Sequence, residues 1–77
     1  MTSPEQYSIR QLTKESVDYR EGDAWHEFFL GPTVEVPRAE DWDRVMPEAF
    51  RGRRDEIIER LKADWFLAGT PFQDVFA

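Results

Sequence analysis

A chain of 77 residues and 9.1 kDa has room for one domain, near the lower size at which a core is buried without a disulfide or a metal. It contains no Cys, which excludes a disulfide framework, a thiolate metal site and a cysteine nucleophile. Sixteen acidic against ten basic side chains leave a net charge of −6, which argues against nonspecific binding to nucleic acid or anionic lipid.

Phe, Leu, Ile and Val make up 18 of the 77 residues, more than a disordered chain carries. No apolar run approaches a membrane span, and the polar start from Met1 to Gln6 is unlike a signal peptide, so a cytoplasmic location is expected. The expected organisation is a single domain over residues 1–77. Residues 1–6 are expected to be flexible, 7–36 mainly strands and 40–76 mainly helical.

In chain order, Tyr7 and Ile9 alternate with Ser8 and Arg10, and Val17 and Tyr19 with Asp18 and Arg20. Period two marks half-buried strands. Ser3-Pro4-Glu5-Gln6 carries a helix-start signature, so residues 4–12 could form a short helix, but Ile9 and Leu12 make a thin stripe and a strand is favoured. Glu21-Gly22-Asp23 reads as a turn with Gly22 at positive φ. Trp25 to Leu30 is almost wholly apolar, as in a central strand covered on both faces, and a regular strand there sends Phe28 and Phe29 to opposite sides. After Gly31-Pro32, the stretch from Thr33 to Val36 alternates again until Pro37 ends the ladder.

The second half has helical period. Trp42, Val45 and Met46 predict a short helix before Pro47. Phe50, Ile57, Ile58, Leu61 and Trp65 predict the main helix, over about residues 53–68, with Glu56, Arg60 and Asp64 on its other face. Gly69 is placed to close it, and Thr70-Pro71-Phe72-Gln73 resembles a capping box opening a last helical turn that shows Phe72, Val75 and Phe76 on one side. The expected fold is α+β: a small antiparallel three- or four-stranded meander packed against one main C-terminal helix with short flanking helical turns.

Chemistry is sparse. His26 is the one histidine and sits in an apolar run, where a strand side chain with one partner is the simpler reading than a base acting with Glu27. Glu40, Asp41 and Asp43 crowd together, but Trp42 and Arg44 interrupt a calcium-loop pattern and the required Gly is missing, so a solvated acidic helix start is expected. Arg51, Arg53 and Arg54 lie where positive charge opposes the helix dipole. Either they pair with Glu48, Asp55 or the 40–43 acids, or they contact an anion or an acidic partner. Eleven aromatic residues exceed what so small a core can bury, so some apolar surface is expected to meet another chain.

The run from Val17 to Asp23, then Trp42 with Pro47, then Arg54-x-x-Ile57-Ile58, resembles small bacterial toxin-immunity-type proteins, in which a Tyr-x-Glu-Gly hairpin leads into a short sheet and a tryptophan precedes the closing helix. The resemblance spans residues 9–65 and departs at the Phe28-Phe29 pair and the tail from Thr70 to Ala77. It implies action by binding a toxin and carries over no catalytic residue.

The reading is therefore a small acidic non-catalytic binding protein. It is expected to be an inhibitor or immunity-type protein from a bacterium, phage or mobile element that occludes a protein partner, with no cofactor and no metal. Its partner is expected to be a protein with a basic surface; direct nucleic-acid binding and membrane association are not expected. An obligately oligomeric structural or assembly subunit, in the simplest case a homodimer, is the alternative. The candidate partner-binding residues are Glu35, Glu40, Asp41, Asp43, Arg51, Arg53, Arg54, Phe72 and Phe76.

Overall fold

A computed structural model describes residues 6–76. Four strands come first: β1 (Ser8–Thr13), β2 (Ser16–Glu21), β3 (Ala24–Leu30) and β4 (Val34–Pro37). Helix α1 (Ala39–Val45), a 3-10 turn (Glu48–Phe50) and helix α2 (Arg54–Ala63) follow, and β5 (Phe72–Val75) ends the fold. The five strands form one sheet in the order β1-β2-β3-β4-β5, antiparallel except for the last pair, which is parallel. This is the α+β class that the change of hydrophobic period predicts, with the meander packed on the helical half. The helix-start signature at Ser3-Pro4-Glu5-Gln6 and the expectation for residues 1–5 lie outside the described residues, except for Gln6. Ser8–Thr13 is a strand, as favoured over the short helix.

Side-chain alternation divides the sheet. Val17 pairs with Phe28, Tyr19 with His26, and Leu30 with Val34, so these residues share the face toward the helices. Val17, Tyr19, Phe28, Val34 and Val36 are buried there against Trp42, Met46, Phe50, Ile57, Ile58, Leu61 and Leu67. Trp42 anchors the helical layer: its indole Nε1 donates to the Phe50 carbonyl at 2.8 Å in the interior, which lets a large polar-tipped ring be buried without loss. Gly22 (φ 58°) makes the β2–β3 turn in a backbone region that other residues enter at a cost.

Three expectations are corrected. The main helix stops at Ala63, not near Gly69. Asp64 is extended (ψ 133°) and its carboxylate accepts the Phe66 amide at 3.0 Å, the local side-chain bond by which Asp competes with helix. Trp65 consequently leaves the apolar stripe and is 85% exposed, while Leu67 takes the core position. Gly69 (φ 85°) serves the turn into β5 instead.

The tail is a strand and not a helical turn. β5 lies parallel to β4 with Val34 opposite Phe72 and Pro37 opposite Val75, tied by Val34 N–H to Pro71 O (2.9 Å) and Arg38 N–H to Val75 O (3.1 Å). Alternation then separates Phe72, packed against the core, from Val75, and leaves Phe76 exposed beneath the Arg38 guanidinium at 3.9 Å.

Third, among the described residues β3 is covered on one face only, because the helical elements that pack on the core all meet the side bearing Phe28. Phe28 is buried, whereas Trp25 and Phe29 are each 48% exposed on the other side.

Candidate functional site

Two groups of charged and aromatic residues flank the sheet. The one on the helix side is structural. Glu21, at the end of β2, is nearly buried and receives Arg53 on both oxygens, at 2.9 and 2.8 Å, and Arg60 at 3.0 Å. The Tyr19 hydroxyl donates to the same carboxylate. Arg53 and Arg60 also share Glu56, at 2.9 and 3.1 Å, and the Arg60 guanidinium lies over Tyr7 at 4.6 Å. Burial pushes the Glu21 carboxyl up, but the Arg53 and Tyr19 hydrogen bonds and the two guanidinium charges outweigh it, so it is held below the usual carboxylate range. Burial, then the bond to Glu21, push the Tyr19 hydroxyl up to about 12. The network pins the β2 strand end to α2, a junction of sheet and helix made by ions.

The second group lies on the open face. Along β3, Trp25, Glu27 and Phe29 point away from the helices, and register sets Trp25 beside Arg20, Glu27 beside Asp18, and Phe29 between Ser16 and Glu35. Asp18 is 1% exposed although no described helix covers this side. Its Oδ2 accepts from Arg20 Nε at 3.3 Å and has Arg10 at 3.9 Å, while Oδ1 is buried with no hydrogen-bond partner among the described residues. The Arg20 guanidinium also lies over the Trp25 ring at 5.7 Å. Thr13, Glu15, Ser16, Glu27 and Phe29 enclose a shallow cavity of about 360 Å³. Gly31 lies against Phe29: a Cβ there would sit 3.2 Å from the ring, closer than ordinary van der Waals contact, so glycine leaves the ring its room.

His26 faces the helix side, half-buried against Phe28 with ring centroids 4.8 Å apart. Burial lowers its pKa against the opposing charges of Glu27 and Asp18. Among the described residues no group of three His, Asp or Glu is placed to hold a metal ion, and no helix is long and apolar enough to cross a membrane.

The residues singled out from sequence do not converge on one surface. Glu35 is in β4 within the open face. Glu40 is exposed at the start of α1, but Asp41 is buried between Arg38 (3.0 Å) and Arg44 (2.9 Å), and Asp43 accepts the Gly52 amide at 2.8 Å. Arg51 is exposed. Arg53 belongs to the Glu21 network, and Arg54 donates to Pro37 O at 2.9 Å and to Asp74 at 2.6 Å. Arg53 and Arg54 therefore are paired, but with Glu21, Glu56 and Asp74 and not with Glu48, Asp55 or the 40–43 acids. Phe72 is half-buried over the core and Phe76 stacks on Arg38. Sequence reasoning missed Asp18, Trp25, Glu27 and Phe29 as a group. The signal was present as the i, i+2, i+4 spacing of the last three on a strand.

No protein-family model, no curated protein and no solved structure matches this chain.

Proposed function

We propose that the chain is a small non-catalytic binding protein of the inhibitor or immunity type, which occludes a protein partner by docking it on the open face of the sheet. One observation carries the reading: Trp25 and Phe29 are each 48% exposed on a sheet face that no described helix covers, while the other face has a complete core. Large aromatics left half in water on one face are costly unless another surface meets them. The acid excess of the whole chain favours a partner with a basic surface and speeds their encounter.

A photo-crosslinking amino acid placed at position 29 in the full chain, expressed in its native host, tests this. A discrete heterologous adduct from position 29, with none from position 65, is expected; residue 65 is the control because Trp65 is the more exposed of the two. Adducts from position 65 only, or from neither position, overturn the proposal. The alternative, a self-assembling structural subunit, draws on the same face and is recognised by an adduct at twice the chain mass.

A further inference from the structure

The outer edge of the sheet at β5 carries main-chain and side-chain groups in a self-complementary order. The bonds from Val34 N–H to Pro71 O and from Arg38 N–H to Val75 O fix which residues of β5 face β4. Main-chain groups alternate sides along a strand, so Pro71, Gln73 and Val75 turn theirs to β4, while Phe72 and Asp74 turn theirs outward. No described strand pairs on that side. The Phe72 and Asp74 side chains lie on the helix face, because they stand opposite the core residues Val34 and Val36. There Ile58, Glu59 and Lys62 of α2 wall a hollow of about 230 Å³ above the strand. The exposed Lys62 ammonium lies over the Phe72 ring at 5.6 Å, and among the described residues no acid pairs with it. The Asp74 side chain is 63% exposed, and Arg54 reaches only its Oδ1, at 2.6 Å.

We infer that this edge pairs with the same edge of a second copy of the chain, β5 against β5, antiparallel about a two-fold axis at Gln73. A closed two-fold contact needs a surface that complements itself. Register about Gln73 sets Phe72 of each copy opposite Asp74 of the other. These are the residues whose main-chain groups point outward, so they exchange N–H···O=C bonds as two hydrogen-bonded pairs. The same register brings the Asp74 carboxylate of each copy beside the Phe72 ring of the other, where Lys62 stands, so a cation meets an acid at two equivalent places. The two Phe72 rings become diagonal neighbours across the new ladder. The opposite edge, β1, lacks this order: its ladder shifts between Gln11 and Thr13, and pairing about Arg10 would oppose two guanidiniums. The contact involves neither Trp25 nor Phe29 and stands apart from the open-face docking reading.

Sedimentation equilibrium of the full chain, from micromolar to millimolar concentration, is the test. A reversible monomer–dimer equilibrium is expected. Lys62→Glu and Asp74→Lys, both at exposed positions, should each weaken the dimer at least about threefold, because each brings like charges together at two places. An equimolar mixture of the two variants should restore it, since both contacts then join opposite charges. Lys62→Glu alone decides the matter if loss of the Arg54 bridge unfolds Asp74→Lys, which circular dichroism reveals. The double variant Trp25→Thr/Phe29→Thr should dimerise as wild type does, which separates this contact from self-association through the open face. A monomer at millimolar concentration, a dimer indifferent to Lys62→Glu, no recovery in a mixture of folded variants, or loss of the dimer in the open-face variant overturns the inference.

Discussion

Replacing Glu21 by Gln keeps the side chain's shape and removes the charge on which Arg53, Arg60 and Tyr19 converge. It also turns an amide N–H₂ toward guanidinium donors, so at least one bond is lost outright. Removing one partner of a fully buried ion pair costs about 3–5 kcal/mol. Here Arg53 and Arg60 are 21% and 18% exposed and both keep Glu56, which reduces the expected loss to about 2 kcal/mol. In a domain of this size each kcal/mol moves the melting temperature by roughly 4–8 °C, so the variant should melt about 8–16 °C lower at neutral pH. The pH dependence has a definite sign. Because the folded Glu21 carboxyl is held below its ordinary value of 4.5, its contribution is complete above that value and is lost as pH falls through the lowered one. The gap between wild type and variant should therefore narrow in acid. Circular-dichroism melts over a pH series measure both effects. A variant within about 0.5 kcal/mol of wild type at neutral pH, the scatter of ordinary surface substitutions, would refute the view that this network joins sheet to helix.

Three further outcomes follow from the packing. Trp42→Phe leaves the Phe50 carbonyl without its buried donor, and urea unfolding should show a loss of about 1–3 kcal/mol. Trp65→Ser, at a position 85% exposed, should change stability by no more than about 0.5 kcal/mol despite removing the largest side chain type. Truncation after Gly69 removes β5, exposes the β4 edge and uncovers the apolar surface under Phe72, so a denaturant midpoint lower by at least about 1.5 kcal/mol in stability is expected.

How far the fold could be read from sequence depends on the range of the deciding contacts. The β2–β3 hairpin is local: Val17 and Tyr19 alternate with polar residues, Gly22 turns the chain, and Phe28 and Phe29 fall to opposite faces as regular pleating requires. The tail is decided by a partner in β4, some forty residues earlier, as in the Thr33–Gln73 side-chain bond. A run of four residues opened by Thr-Pro has the same local signature for a helical turn as for a short parallel strand. Trp65 continued the helical stripe by spacing, but a single carboxylate at Asp64 closing on the Phe66 amide ends the helix first. The candidate site was the least legible part. Arg53 looked like a surface cation because its partner Glu21 is 32 residues away, and Asp18 looked like the solvent side of a strand although Arg10 and Arg20 close over it. What makes the open face distinctive is the juxtaposition of Asp18 and Glu27 across two strands, and that appears only once register is set.

The division of labour between the two faces can be measured directly on the free protein. In the double variant Trp25→Thr/Phe29→Thr, threonine keeps the strand preference while removing the exposed rings. If these aromatics serve a partner and not the fold, the melting temperature should stay within about 8 °C of wild type, equivalent to about 1 kcal/mol in a domain of this size. A fall as large as that of a core truncation, about 3–5 kcal/mol for Phe28→Ala, would show that the open face holds the fold together and would contradict the account.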